Sequence, residues 1–108
     1  MFNNKIFSLL GFAAKAGKLS YGFEATLSAV KSNKSRLVII AEDISAKTRK
    51  EIVFFAERKG IKHITTEGID INAVSDAVGR KCGIISVNDS GFADTCTAYL
   101  QGGMANDK

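Results

Sequence analysis

The segment Leu37–Ala41, LVIIA, restricts the fold more than any other part of the chain, because it is an unbroken apolar run ending at the acidic pair Glu42 and Asp43. A strand with one wet face would place a polar residue at every second position. A continuous run implies burial on both faces, and therefore a covering layer on each side of the sheet. The rest of the chain supplies those layers. Ile6, Leu9, Leu10 and Ala13 recur at helical spacing, with Asn3 or Asn4 as the available cap and Gly17 as the stop. Lys18–Tyr21 reads as a short strand, and Gly22 opens a second helix with Phe23, Leu27 and Val30 on its inner face. Ser45 caps a helix over Ala46–Lys59 that turns Ile52, Phe55 and Ala56 inward, and Gly60 ends it. A short strand follows over Ile61–Thr65. Asp70 then caps a small helix carrying Ile71, Val74 and Val78, closed by Gly79. Ile84–Val87 is the last strand, and Asp89 or Ser90 caps a final helix that buries Phe92, Cys96, Tyr99 and Leu100.

Strands alternating with helices in this order predict an α/β protein. The expected architecture is a three-layer α/β/α sandwich around a small, mostly parallel or mixed sheet of about four strands. With 108 residues and 45% hydrophobic content, the chain suits one domain over residues 1–101, followed by a frayed tail, Gly102–Lys108. No stretch nears the roughly 18 uninterrupted apolar residues of a membrane span. The opening MFNNKIFSLLGFAAKAG carries a single early charge, Lys5, on an amphipathic pattern, so it reads as a helix and not a targeting signal. The expectation is a cytoplasmic monomer without membrane attachment.

Catalytic and cofactor signatures are weak. Cys82 and Cys96 lack CxxC spacing and His63 is the sole histidine, so neither a zinc site nor any other metal or cofactor is expected. Gly11–Lys18 has five residues between its glycines and Leu19 after the lysine. A phosphate-binding loop needs four, and Ser or Thr after the lysine. No GxGxxG follows a strand, and nothing pairs His63 with a nucleophile. Glu42 and Asp43 leave the end of the buried strand, where α/β proteins often carry functional groups. Asp43 equally suits a contact with the N-terminus of the helix that follows.

Charge is distributed unevenly. Up to Lys62 the balance is +7, and from His63 onward it is −3. Either this is ordinary surface scatter, or a basic face meets phosphate. Lys15, Gly17 and Lys18 precede a helix N-terminus, where backbone N–H groups attract phosphate oxygens. Ser28 and Lys31 fall one and two turns on from Glu24. Lys47, Arg49 and Lys50 crowd the start of the next long helix, where cations are electrostatically unfavourable, although Glu51 stands at pairing distance in sequence from Lys47. Arg80 and Lys81 follow Gly79 at a loop tip.

Four segments in this order, LLGFAAKAGKLSYGFEAT, LVIIAEDIS, AVGRKCG and NDSGFA, give the chain a family likeness from about Ile6 to Leu100. It resembles the kink-turn RNA-binding family of large-subunit ribosomal proteins, the L-seven-A-e and L-thirty-e group, and within it the bacterial YlxQ-type members. The resemblance implies an α/β/α sandwich that binds a sharply bent RNA internal loop, alone or beside ribosomal and other RNA-associated proteins, without catalysis. It implies that the second helix meets sheared G·A pairs at its N-terminus and that a loop before the last strand covers a bulged nucleotide. On this chain Gly22 matches the glycine that lets backbone approach RNA. Glu24 and Ala25 match the recognition positions, Ser28 a position often basic, and Glu42–Asp43 the strand end. Arg80, Lys81, Cys82 and Gly83 fall in the loop facing the bulge. The pattern departs at two places. Glu24 stands where the family often has Asn or Lys, unless the match slips by one residue, and a carboxylate cannot donate to guanine O6 or N7. The loop from Arg80 is also short. The alternative that these departures favour is a protein-interaction module with the same fold and only weak, nonspecific RNA binding.

Overall fold

The computed structural model describes residues 4–101. Asn3 and the tail Gly102–Lys108 lie outside the described residues. The elements run α1 (Lys5–Lys15), β1 (Leu19–Tyr21), α2 (Gly22–Lys31), β2 (Leu37–Ile40), α3 (Ala46–Arg58), β3 (His63–Thr65), α4 (Ile71–Val78), β4 (Ile84–Val87) and α5 (Ser90–Leu100). The strands form one sheet in the order β1-β4-β2-β3. All four residues of β2 are buried, and its side chains divide by parity. Leu37 and Ile39 join a core with Ile6, Leu10 and Ala13 of α1, Val74 of α4 and Cys96 of α5. Val38 and Ile40 join a second core with Val30 of α2 and Ile52 and Ala56 of α3. The sheet is thus covered on both faces, which makes the three layers.

Of the two sheet arrangements expected, the mixed one is present. β2 and β3 are parallel, whereas β4 runs antiparallel to both β1 and β2. The chain between β3 and β4 turns back instead of crossing the sheet: α4 ends at Gly79 in the left-handed region, φ 77°. Ser75 then folds the chain back: its hydroxyl donates to the Cys82 carbonyl and accepts from the Cys82 N–H, both at 3.0 Å. Strand β4 consequently enters the sheet from the edge that β3 left.

Element ends differ from the sequence expectation where the backbone N–H groups are already committed. Lys18 N–H closes α1 on Ala13 O at 3.0 Å, and Ile61 N–H closes α3 on Ala56 O at 2.8 Å. Strands β1 and β3 therefore start at Leu19 and His63. Ser45, Asp70 and Asp89 cap as expected, accepting from Thr48, Ala73 and Phe92 N–H groups. Asn4 occupies the cap position of α1 without a side-chain cap bond. In α2 the fully buried residues are Thr26, Ala29 and Val30, with Phe23 and Leu27 half-buried at the margin. In α5 the small Ala93 and Cys96 make the close contact, and Phe92, Tyr99 and Leu100 are only half-buried. Burial pushes the Cys96 thiol up to about 12.

Gly83 sits where the β4 entrance meets both loops above it. A Cβ there would lie 2.7 Å from Ile44 Cδ1 and 2.7 Å from Ile71 Cγ1. Gly83→Ala is expected to destabilise the protein by about 1–3 kcal/mol through overpacking. A lower urea midpoint at unchanged slope would register it, and an unchanged midpoint would show that the two isoleucines give way freely.

Candidate functional site

Strands β1, β2 and β3 run in one direction and β4 in the other, so the sheet has two distinct edges. At the upper edge β1, β2 and β3 end, β4 begins, and α2, α3 and α4 have their N-termini. Each helix start contributes roughly half a positive charge. Ser45 caps α3 and Asp70 caps α4, but no side chain caps α2. Its first N–H groups have no acceptor within the helix. Gly22 makes this start possible with φ 87°, a value L side chains rarely adopt, and the space where a Cβ would point is open.

Beside that helix start lies the loop from Arg80. The register Tyr21↔Ile85 brings the end of β1 against the start of β4. The Arg80 guanidinium lies over the Tyr21 ring, 4.5 Å from its centroid. This contact joins the loop to the residue immediately before Gly22, and a guanidinium on an aromatic face keeps its in-plane N–H donors outward. Arg80 and Lys81 are exposed, while Cys82 and Gly83 are buried beneath them. Burial raises the Cys82 thiol, with the Arg80 charge pulling weakly the other way. Cys82 and Gly83 therefore anchor the loop from below, and its accessible surface is Arg80 and Lys81.

Glu24, Ala25 and Ser28 are exposed on α2. Glu24, Leu27, Ser28, Lys31 and Ser32 line one open groove along that helix. Lys31, at its far end, lies over the Phe55 ring at 4.8 Å. Lys47 is exposed in the first turn of α3, at the upper edge, and among the described residues no ion pair joins it to Glu51.

Glu42 and Asp43 are engaged structurally. Glu42 Oε1 accepts from Gly68 N–H at 2.7 Å, and Asp43 Oδ1 accepts from Ile71 N–H at 2.8 Å. The contact with a helix N-terminus considered for Asp43 exists, but the helix is α4 and not the one that follows in sequence. Lys15, Gly17 and Lys18 do not share the upper edge. They turn α1 into β1, so they stand at the opposite edge, on the order of 10 Å from Gly22 along β1. Sequence reasoning missed Tyr21, whose role requires knowing that β1 pairs with β4, and Ser75, whose partner is seven residues on. Among the described residues no group of three or more His, Cys, Asp or Glu is placed to hold a metal ion, and no helix is long and apolar enough to cross a membrane.

Two outcomes follow from these contacts. Asp43→Ala leaves the Ile71 N–H without its acceptor and should cost about 1 kcal/mol, the usual value of a lost helix-start bond, measurable by chemical denaturation; no loss would mean solvent replaces it. Tyr21→Ala should free Arg80 and lower stability by about 0.5–2 kcal/mol from the cation–π contact and the lost ring burial. The Arg80 Hε resonance should broaden or shift in NMR spectra of that variant, and an unshifted resonance would place the guanidinium elsewhere.

The chain is similar in sequence and fold to known proteins. The model of the ribosomal protein L7Ae/L30e/S12e/Gadd45 family matches residues 4–96. Large ribosomal subunit protein eL30 of Candida glabrata is 31% identical over 91 residues, which cover 82% of this chain and 86% of that protein. RNA-binding protein YlxQ of Enterococcus faecium is 25% identical over 99 residues, covering 91% and 93%. A Bacillus halodurans protein of unknown function superimposes with a TM-score of 0.84 at 28% identity, over 90% of this chain and 97% of that one. The Giardia lamblia 15.5kD RNA binding protein shares the fold with a TM-score of 0.72 at 20% identity, over 91% and 86%. The match spans nearly all the described elements, and the chain belongs to the ribosomal protein L7Ae/L30e/S12e/Gadd45 family.

Proposed function

We propose that this protein binds structured RNA at the upper edge of its sheet, recognises a kinked internal loop, and works by holding that bend and not by catalysis. The observation that carries this reading is the uncapped start of α2 at Gly22, set beside an arginine fixed on Tyr21. Uncapped N–H groups at a helix start donate to an anion, and Arg80 and Lys81 add positive charge next to it. Open space above Gly22 lets backbone come close to a bulky partner. Two relatives carry supporting names, eL30 as a ribosomal protein and YlxQ as an RNA-binding protein. The protein would act in the cytoplasm, as a monomer, on ribosomal or other structured RNA. Lys47 lies at the same edge and would meet phosphate, whereas Glu42, Asp43, Cys82 and Gly83 would shape the site from behind.

A second reading has one specific observation in its favour. Glu24 is exposed in the first turn of α2, where it suits the helix dipole and repels phosphate. Its carboxylate can accept from base amino groups but cannot donate to guanine acceptors. On that ground the fold would serve protein contacts, with weak and nonspecific RNA binding.

A labelled kink-turn RNA, titrated beside a copy whose G·A pairs are replaced by Watson–Crick pairs, separates the two. Selective binding to the kinked RNA is expected. Equal weak binding to both would favour the protein-interaction reading. Arg80→Glu should weaken the kinked complex at least tenfold, as loss of a charge-assisted contact worth about 1.5–3 kcal/mol implies, while folding stability falls only by what the cation–π contact with Tyr21 contributes, about 0.5–1 kcal/mol. Glu24→Ala should alter affinity for the kinked RNA alone, and an equal change on both RNAs would remove Glu24 from base recognition.

A further inference from the structure

The lower edge of the sheet carries a cationic surface that the upper-edge reading does not use. There β1, β2 and β3 all begin, and the residue before each strand is basic: Lys18, Arg36 and Lys62. With β4 lying between β1 and β2, the strand order spaces these positions over roughly 15 Å, and half-buried Asp89, which follows β4 at this edge, is engaged in capping α5 through Phe92 N–H. Lys34 and Lys59 stand on the adjoining turns after α2 and α3. Arg36, Lys59 and Lys62 line one groove of about 400 Å³ with Asn33, Ser35, Gly60, Ile61 and a single acid, Asp94.

A helix C-terminus attracts cations for structural reasons, and that accounts for Lys15, Lys31 and Arg58 in the last turns of α1, α2 and α3. Lys59, the C-cap of α3, partly shares that explanation. Lys18 and Lys34 close α1 and α2 through their backbone N–H groups, on the Ala13 and Ala29 carbonyls, past the last turn where the dipole acts most strongly, and Lys62 lies beyond the helices altogether. They are exposed, and so are Arg36 and Lys59.

The scaffold beneath them is fixed by a buried polar network. The Ser86 hydroxyl bonds to Ser35 Oγ at 2.7 Å and to Asn88 Oδ1 at 2.6 Å, and Asn88 Nδ2 donates to Ser20 Oγ at 2.9 Å. Ser86 and Ser35 are fully buried, so the chain of bonds locks β1, β4 and the start of β2 together. Arg36 Nη1 donates to the Asn33 carbonyl at 2.9 Å, which pins its guanidinium to the turn. The charges therefore sit on strand starts held in fixed relation.

We infer that this lower edge is a second nucleic-acid surface, which grips the phosphate backbone of double-helical RNA without reading its sequence. The groove has no aromatic lining residue on which an unpaired base could stack, and single-strand grooves rely on such platforms. Its one apolar lining residue, Ile61, is half-buried, which leaves little to insert into a lipid surface. A row of fixed cations suits the dense charge of a duplex. Because the two edges lie at opposite ends of the strands, one molecule can hold a kinked element and a neighbouring duplex together.

The test uses the full chain, a plain RNA duplex without internal loops, and a short kink-turn RNA trimmed to its bend. The triple variant Lys18→Gln, Lys59→Gln, Lys62→Gln removes three exposed charges, and thermal melting checks its fold. On the duplex its affinity should fall at least about tenfold, and the slope of log K against log salt should drop by about 2–3, near 0.7–0.9 for each lost phosphate contact. Binding to the short kinked RNA should change little. Unchanged duplex affinity, or no duplex binding by the parent protein, overturns the inference. So does equal loss on both RNAs, which would make the two edges one footprint. Polyglutamate competing as well as duplex RNA would assign the edge to an acidic protein instead. Arg80→Glu keeps the two readings apart: it should leave duplex binding intact, so failure of kinked-RNA recognition leaves this surface standing.

Discussion

Burial of β2 on both faces is the constraint around which the remaining structure is arranged. Leu37, Val38, Ile39 and Ile40 are each no more than 1% exposed, and each is worth about 1.5–3 kcal/mol when removed from water. That burial requires helices on both sides, α1, α4 and α5 on one and α2 and α3 on the other. It also confines variation to the strand ends, because the middle of the sheet has no surface to offer a partner. Besides the outer faces of its helices, the fold therefore presents two edges. Their chemistry differs because the N-termini of α2, α3 and α4 gather at one, and the C-termini of α1, α2 and α3 with the starts of β1, β2 and β3 at the other.

At the upper edge the polar groups sort by what they touch. Glu42 and Asp43 are spent on Gly68 and Ile71 N–H groups, Ser75 on Cys82, and Asp70 on Ala73. Those bonds fix the loops around the β4 entrance. The start of α2 is left open, with Arg80 held beside it on Tyr21. A site built this way is preorganised: the loop is anchored by buried Cys82 and Gly83, so little ordering remains to be done when a partner arrives.

Much of this was legible in the sequence wherever a local rule decides the outcome. The run LVIIA, the caps Ser45, Asp70 and Asp89, and the stops Gly60 and Gly79 depend on nearest neighbours. The layer arrangement follows from them. The direction of β4 was not legible, because it depends on Ser75 reaching Cys82 after Gly79 reverses the chain. Nor was the separation of Lys18 from Gly22, four residues apart in sequence yet at opposite edges, since a three-residue strand lies between them. The acidic pair Glu42–Asp43 sat at a strand end where function was expected, but its partners are 26 and 28 residues away. Only the fold reveals them as braces. Tyr21 gave no signal at all, because its importance comes entirely from the strand paired with it.

Whether RNA engages the open start of α2 and the Arg80 loop can be read from the backbone amide resonances of the isotopically labelled protein while kink-turn RNA is added. Saturable shifts concentrated at residues 21–25 and 80–83 are expected. Shifts confined to the lower edge around Lys18, Arg36 and Lys62, or scattered small shifts that never saturate, would contradict that engagement.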